Sequence, residues 1–545
     1  MKKSLQTIHA YHQRSKHHFQ HYAAGPDGLD WKSQPNPFRT FSGCKKLKLP
    51  LLAQQTQAAY NDLYQPEKIA SQILSLKNIA QLLELSFGLS AWKQYENTRW
   101  ALRCNPSSGN LHPTEAYVIT DNCEGIANGV HHYLSRDHLL ERRCQFSSEQ
   151  PLLSEGSFLI GLSSVHWREA WKYGERAFRY CQHDVGHAIA AVRYAAATLG
   201  WQAHVLTGAG DSDIETILGI DRDADFGKAE PEHADVMLLI SSQCSTSFEH
   251  SFSLKAIASA ASNGQWYGQA NTLSAHHRND WPVIAEAALA CRKAATEEQS
   301  WQAPALPESL AASGEQAASS IIKQRRSAQG FDVKGSIPAE LLYRLLDLTL
   351  PRPATPPWDA ISWAPRIHLL IFIHRVEGLE PGLYLFSRSD DKKNKFQACL
   401  KQEYEWLKPE ECPEHLQLFR LAAGDARDAA KTLSCHQDIA SDGVLSIAML
   451  ADYEANLASN PWVYRQLFWE AGILGQLLYL EAESAGFRGT GIGCYFDDAV
   501  HEMIGIEGYI FQSLYHFTIG KAAEDNRLQT LPPYAHLQRS NPGQS

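Results

Sequence analysis

The sequence predicts an α+β fold in which one unit occurs twice in tandem. The chain is 545 residues long, more than one hydrophobic core usually serves, so two large domains are the natural expectation. One long amphipathic helix is written twice. Residues 179–201 read RYCQHDVGHAIAAVRYAAATLGW and residues 465–487 read RQLFWEAGILGQLLYLEAESAGF. Each ends in glycine plus an aromatic, the usual C-terminal stop. Arg179, Gly186 and Gly200 match Arg465, Gly472 and Gly486 at a constant offset of 286 residues, and Gly219 matches Gly505 at the same offset. Self-similarity of this kind marks a duplicated unit.

Copy one spans 1–250. Its β-rich runs are 116–119, 158–162 and 236–240, and they alternate with helical stretches, which favours a central mixed sheet with helices around it. Residues 251–317, rich in Ala, Ser, Gln and His, read as a helical linker, with a helix near 285–295 and a Pro304-Ala-Leu-Pro307 spacer. Copy two spans 318–545, with β-rich runs at 367–373, 444–449 and 515–519. Gly129-Val-His-His-Tyr133 finds its counterpart in Gly382-Leu-Tyr-Leu-Phe386, and Arg14-Ser15 in Arg326-Ser327.

Composition narrows the function. Hydrophobic residues make up 44% and charged residues 20%, as in soluble globular proteins. A net charge of −10 without long basic runs argues against nucleic acid, whose phosphates require a concentrated basic face. No stretch approaches the roughly 20 apolar residues of a membrane helix. The N-terminus lacks the apolar run of a secretory signal, and the 11 cysteines form no Cys-x-x-Cys pair. A cytoplasmic protein with reduced thiols is the expectation.

Three motifs carry the chemistry. Arg103-Cys-Asn-Pro-Ser-Ser-Gly-Asn-Leu-His-Pro113 sets prolines, serines, glycine and asparagine just before a strand. Such a loop offers backbone N–H groups and hydroxyls to a planar, polar-edged ring. Gly489-Thr-Gly-Ile-Gly493 reads as a glycine-rich turn after the second long helix. Arg325-Arg-Ser327 offers guanidinium forks for an anion.

In this order the motifs resemble those of the nitroreductase-type flavoproteins. The resemblance implies an FMN held between two subunits, and a tandem duplicate would make that dimer within one chain. Pro106, Ser107, Ser108 and Asn110 of copy one would meet the flavin ring. Gly489, Gly491, Ile492 and Gly493 of copy two would support it, and Arg325, Arg326 and Ser327, with Lys521 or Arg527, would hold the phosphate. The mirror site would use Arg14, Ser15 and Lys16, the turn 207–210 and the loop from Arg352 to Trp358. That loop has lost the Ser-Ser-x-Asn pattern, so one strong site and one degenerate site are expected.

Trp167-Arg-Glu-Ala-Trp-Lys-Tyr-Gly-Glu-Arg176 is similar to the Lys-Tyr stretch of the SagB/ThcOx-type azoline dehydrogenases. The resemblance implies Lys172 and Tyr173 as proton-handling catalytic residues acting on a thiazoline or oxazoline in a small or peptide substrate. An NAD(P)H-dependent reductase of nitro compounds, quinones or enones is the alternative. A flavin-binding or peptide-binding scaffold without catalysis is a third. His183 and His187 stand four apart on a helix, but their counterparts Trp469 and Ile473 indicate packing, and no metal site is expected.

Overall fold

The computed structural model describes residues 2–52, 54–147, 150–243, 252–310, 315–458, 460–525 and 527–537. The domain boundary expected at 250 lies outside them.

Each copy is built on one sheet, and the two sheets share a strand order. In copy one, Leu139–Gln145, Gly129–Leu134, Thr114–Thr120, Ser157–Ser164, His233–Ser241 and Gln202–Val205 lie side by side. In copy two the same places are taken by Gln417–Ala423, Gly382–Ser387, Ile367–Ile373, Leu445–Asp452, Phe511–Gly520 and Arg488–Ile492. The expected strands all fall on these, within a residue at Val444. The sheets are not mixed: all their pairings are antiparallel. Neighbours such as Gly129–Leu134 and Leu139–Gln145 are joined by connections too short for a parallel crossover.

Eight elements position the site: strands β1 (Thr98–Arg103), β2 (Thr114–Thr120), β3 (Arg488–Ile492) and β4 (Phe511–Gly520), and helices α1 (His166–Tyr173), α2 (Ala177–Ala197), α3 (Ala318–Gln324) and α4 (Val463–Ser484). Both long helices, α2 and α4, are almost wholly buried. Their buried charges find partners, and the two cross at the centre, glycine against glycine. A Cβ on Gly186 would stand 2.1 Å from Trp469 O, and one on Gly472 would stand 2.3 Å from His183 O. Trp469 and His183 are themselves 286 apart, so the crossing is a pseudo-twofold contact. Two ion pairs repeat it. Arg465 binds Asp211 at 2.8 Å, and Arg179 binds Asp497 at 2.6 Å.

The copies also trade ends. Gln529–Leu531 of copy two pairs with Leu89–Tyr95 of copy one, and His12, on the first helix Lys2–Arg14, contacts Tyr464 and Gln512 of copy two. The segment between the copies carries helices Leu254–Ser262 and Pro282–Ala290, and its Gln265–Trp266 adds a strand beside Leu139–Gln145.

Candidate functional site

A cavity of about 440 Å³ lies where the two copies meet, within the usual size of a small-molecule or cofactor site. Copy one gives it a floor from the loop after β1. Ser108–Asn110 forms a single 3-10 turn, and Gly109, Asn110 and His112 all take positive φ, at +58°, +59° and +53°. Glycine is required here twice over. Its φ is left-handed, and a Cβ would lie 2.5 Å from Tyr173 Oη and 3.1 Å from Lys172 Nζ. The turn is tied down from within: Ser107 Oγ accepts from His112 N–H at 2.8 Å, and the Asn110 amide donates to Ala101 O at 2.9 Å.

Helix α2 adds a polar face to the cavity. Tyr180, Asp184 and His187 stand at helical spacing and all line it. Ser108 donates to Asp184 Oδ1 through both N–H and Oγ, each at 3.1 Å. His187 Nε2 meets Tyr515 Oη at 3.1 Å, and burial pushes this imidazole down to about 3, so it is neutral.

Copy two supplies the opposite wall from Arg325, Arg326, Ser327, Gly491, Ile492, Gly493 and Tyr479. Tyr479 Oη receives the Gly491 N–H at 2.8 Å and hydrogen-bonds Ser327 Oγ at 2.9 Å. One tyrosine of α4 thus registers β3 against the segment after α3. Arg325 donates to Cys104 O and Arg103 O, and a guanidinium has five N–H donors, so donors remain for a ligand. Lys93 completes a basic end, and Arg488 lines it too, paired with Glu524 at 2.9 Å. Burial first, then the neighbouring Arg325, pulls Arg326 down to about 10. Burial and then Arg326 likewise lower Lys93. Cations that disfavour one another in a half-buried pocket favour an anion between them.

The nitroreductase family's sequence profile matches residues 70–228 and 322–521. The chain belongs to the nitroreductase family. The two matched regions are the two copies, so the fold is a tandem pair of nitroreductase-like units forming a dimer within one chain, and the protein is an oxidoreductase. A structure from Anabaena variabilis assigned to the nitroreductases superposes over 95% of this chain and 99% of its own, with a TM-score of 0.69 and 22% identity. Among curated proteins, the trifolitoxin-processing protein TfxB of Rhizobium leguminosarum bv. trifolii is 32% identical over 130 residues, which cover 21% of this chain and 35% of TfxB. The protein MJ1384 of Methanocaldococcus jannaschii, assigned as a nitroreductase, is 24% identical over 159 residues, covering 28% of this chain and 77% of its own. This nitroreductase chain therefore matches only about a third of the length of TfxB.

Of the residues singled out in the sequence, Pro106, Ser107, Ser108, Asn110, Tyr173, Arg325, Arg326, Ser327, Gly491, Ile492 and Gly493 converge on this nitroreductase cavity, and Lys172 reaches Gly109 at its rim. Three do not. Gly489 is packed against Phe517 and Tyr479, and its carbonyl accepts from Ala328 N–H. Arg527 is turned outward in an ion pair with Asp525, its side chain 74% exposed. Lys521 lies beside Gly335, away from the cavity wall. Neither Lys521 nor Arg527 reaches the cavity, the latter because Asp525 holds it; Lys93 stands there instead, with Arg488 beside it paired to Glu524. The expected turn 489–493 is also mostly strand, since β3 pairs in register with β4.

Sequence reasoning missed Lys93, Asp184, Arg488, Tyr180, Tyr479 and Tyr515. Tyr180, Asp184 and His187 had a signal, polar groups at i, i+4 and i+7 that share one face of the helix. His183 is packed as expected, stacking on Tyr515 with ring centres 4.3 Å apart.

The mirror site is filled. The cavity beside 205–209 holds only about 20 Å³. Lys293 Nζ lies in it, donating to Ala209 O and Thr296 Oγ1 at 3.0 Å each, and Thr207 Oγ1 donates to Glu298 at 2.6 Å. The cations of the expected mirror site are already paired: Arg14 with Glu175 at 2.5 Å and Lys16 with Asp498 at 2.6 Å, and, in the loop from Arg352 to Trp358, Arg352 with Asp347 at 2.5 Å.

Proposed function

We propose that this protein is an FMN-dependent dehydrogenase with one working site, acting by a ping-pong cycle on a thiazoline- or oxazoline-type ring in a modified peptide. The observation that carries the reading is the meeting of Lys172 Nζ and Tyr173 Oη at Gly109, on the floor of a cavity with a basic end. The residues fit FMN in three ways. The volume suits a flavin. The basic end, Arg325, Arg326 and Lys93, suits a phosphate carrying nearly two charges. And the cavity wall carries buried polar atoms without a hydrogen-bond partner, Asn105 Oδ1 and Asp184 Oδ2, toward a polar-edged ring. When bound, FMN supplies a reversible hydride acceptor.

The chain's own residues do the rest. The Ser107–Asn110 turn and the Gly491–Gly493 backbone orient the ring. Tyr180 and Tyr515, both buried, exclude water from the floor. Lys172 and Tyr173 handle the proton that dehydrogenation releases. The peptide character of the substrate is supported by the partial match to a trifolitoxin-processing protein. Cytoplasmic location belongs to the same reading; no described helix is long and apolar enough to cross a membrane.

The test is flavin titration followed by turnover. One FMN per chain should bind, and riboflavin, which lacks the phosphate, should bind far more weakly. Lys172→Ala should keep the flavin and lose oxidation of an azoline peptide. Rapid bleaching by NADPH with no azoline oxidation would replace this reading with an NAD(P)H-dependent reductase. Failure to bind FMN at all would leave a scaffold.

A further inference from the structure

Two buried carboxyl groups stand at the cavity, one on its wall and one on the helix behind it. Glu169 lies on α1, one turn before Tyr173, and Asp184 lies on α2, one turn after Tyr180. The rings of Tyr173 and Tyr180 pack at 4.5 Å, so the two helices meet ring against ring and acid against acid. Asp184 Oδ1 is held by Ser108, while its Oδ2 is buried without a hydrogen-bond partner on the cavity wall. Both oxygens of Glu169 are buried and unpartnered. Asp184 thus bonds Ser108 while the Tyr173 hydroxyl lies beside Gly109, the next residue of the same turn.

The counterpart in copy two sharpens the contrast. Glu470 stands 286 residues after Asp184. It is fully spent on Arg388 at 2.5 Å and on the N–H groups of Arg366 and Ile367 at 3.0 and 3.1 Å. The filled site has a fully paired carboxylate, and the open site has one with an oxygen left free.

We propose that Asp184 is the proton acceptor behind Lys172 and Tyr173, with Glu169 as its positioning residue; this rests on the dehydrogenase reading above. The substrate's C–H bond breaks and its proton forms a new O–H bond on Tyr173, whose own O–H proton leaves to form an O–H bond on the free Oδ2 of Asp184. The step moves protons only; the electron pair leaves with the hydride to the flavin-class acceptor.

The charged and titratable groups facing Asp184 fit the role. Arg103, Ser107 and Ser108 of the loop favour its ionised form, and Glu169 and Tyr173 of α1, Cys181 of its own helix and Tyr515 of β4 stand around it. Burial, partly offset by the two serines, pushes it up to about 7. A base works best near the operating pH. Burial, and then the charge on Asp184, raises Glu169 well above the carboxylate range, which favours its neutral form beside an ionised Asp184.

Infrared titration of the flavin-free protein tests the proposal without catalysis. The wild type should show a protonated-carboxyl band that disappears with a midpoint near pH 7, is absent from Asp184→Asn and persists in Glu169→Gln. In the flavin-loaded enzyme kcat/KM should rise with pH through the same midpoint. Asp184→Asn should remove that rise and lower kcat by about 10²-fold or more, while Asp184→Glu restores part of it. A wild-type carboxyl band that titrates below about pH 5 overturns the proposal, as does an unchanged pH limb in Asp184→Asn. If that variant does not fold, the wild-type band decides through its loss or survival in Glu169→Gln samples titrated alongside: no titration near 7 in either refutes it. Absence of flavin binding sinks the dehydrogenase reading instead, and the flavin-free titration separates the two failures.

Discussion

Replacing Gly472 with alanine tests the crossing that builds the site. In an ordinary buried helix this change is favourable by about 1 kcal/mol, because glycine carries the larger entropic cost. Here the added methyl would stand 2.3 Å from His183 O, 2.9 Å from Gly186 Cα and 2.9 Å from His187 N. Carbon contacts settle at about 3.5–4.0 Å, so α2 and α4 must part by about 1 Å. All three obstacles are backbone of a buried helix and cannot swing aside. Overpacking of this kind costs about 3 kcal/mol at the upper end of its usual range. The net effect is a loss of about 2 kcal/mol, or about 30-fold in the unfolding equilibrium. Urea denaturation followed by tryptophan fluorescence reads it as a lower midpoint. Flavin affinity should fall with it, because Asp184 and His187 ride on the displaced helix. Gly186→Ala should behave alike, and the double variant should cost less than the two singles together, since both open one contact. A midpoint that stays or rises for Gly472→Ala would refute the glycine-on-glycine account.

Three further outcomes follow from the same geometry. Arg326→Ala should weaken FMN binding by about 1.5–3 kcal/mol, the worth of a charge-assisted hydrogen bond, or about 10- to 150-fold in Kd. Riboflavin binding should barely change, and fluorescence-quenching titration checks both. Asp497 lies buried between Arg176 and Arg179, whose charges hold it well below the usual carboxylate range. A lowered folded value means that its stability is present above the unfolded value of about 3.9 and is lost as pH falls below it. Asp497→Asn should therefore cost about 3 kcal/mol at neutral pH, with the gap to the wild type narrowing in melts below pH 4. Lys293→Ala should leave the flavin-to-protein ratio at one, because Glu298 and the 294–298 backbone still fill the mirror site; a ratio near two by absorbance would contradict this.

Much of the architecture was legible because duplication writes it twice. The offset carried by Arg179, Gly186 and Gly200 reappears in space as the helix crossing and its paired salt bridges. The Pro-Ser-Ser-Gly-Asn loop announced its place because only glycine and asparagine accept its left-handed backbone cheaply. The misreadings have physical causes. Gly489 and Gly491 looked like a turn, yet they are strand residues whose missing side chains make room for Phe517 and Tyr515. Arg527 looked like a phosphate ligand because local sequence cannot show that Asp525, two residues earlier, already holds it. Lys93 was invisible for the opposite reason. It belongs to no motif: it sits on the strand that pairs with β1, and only that hairpin pairing carries it over the cavity.

The traded ends have a consequence for how the pocket survives dilution. A two-subunit enzyme loses its composite sites when its concentration drops below the dissociation constant of the pair. Here both walls are covalently linked, so encounter between them is intramolecular and occupancy of the pocket should depend on free coenzyme alone, at nanomolar protein as at micromolar.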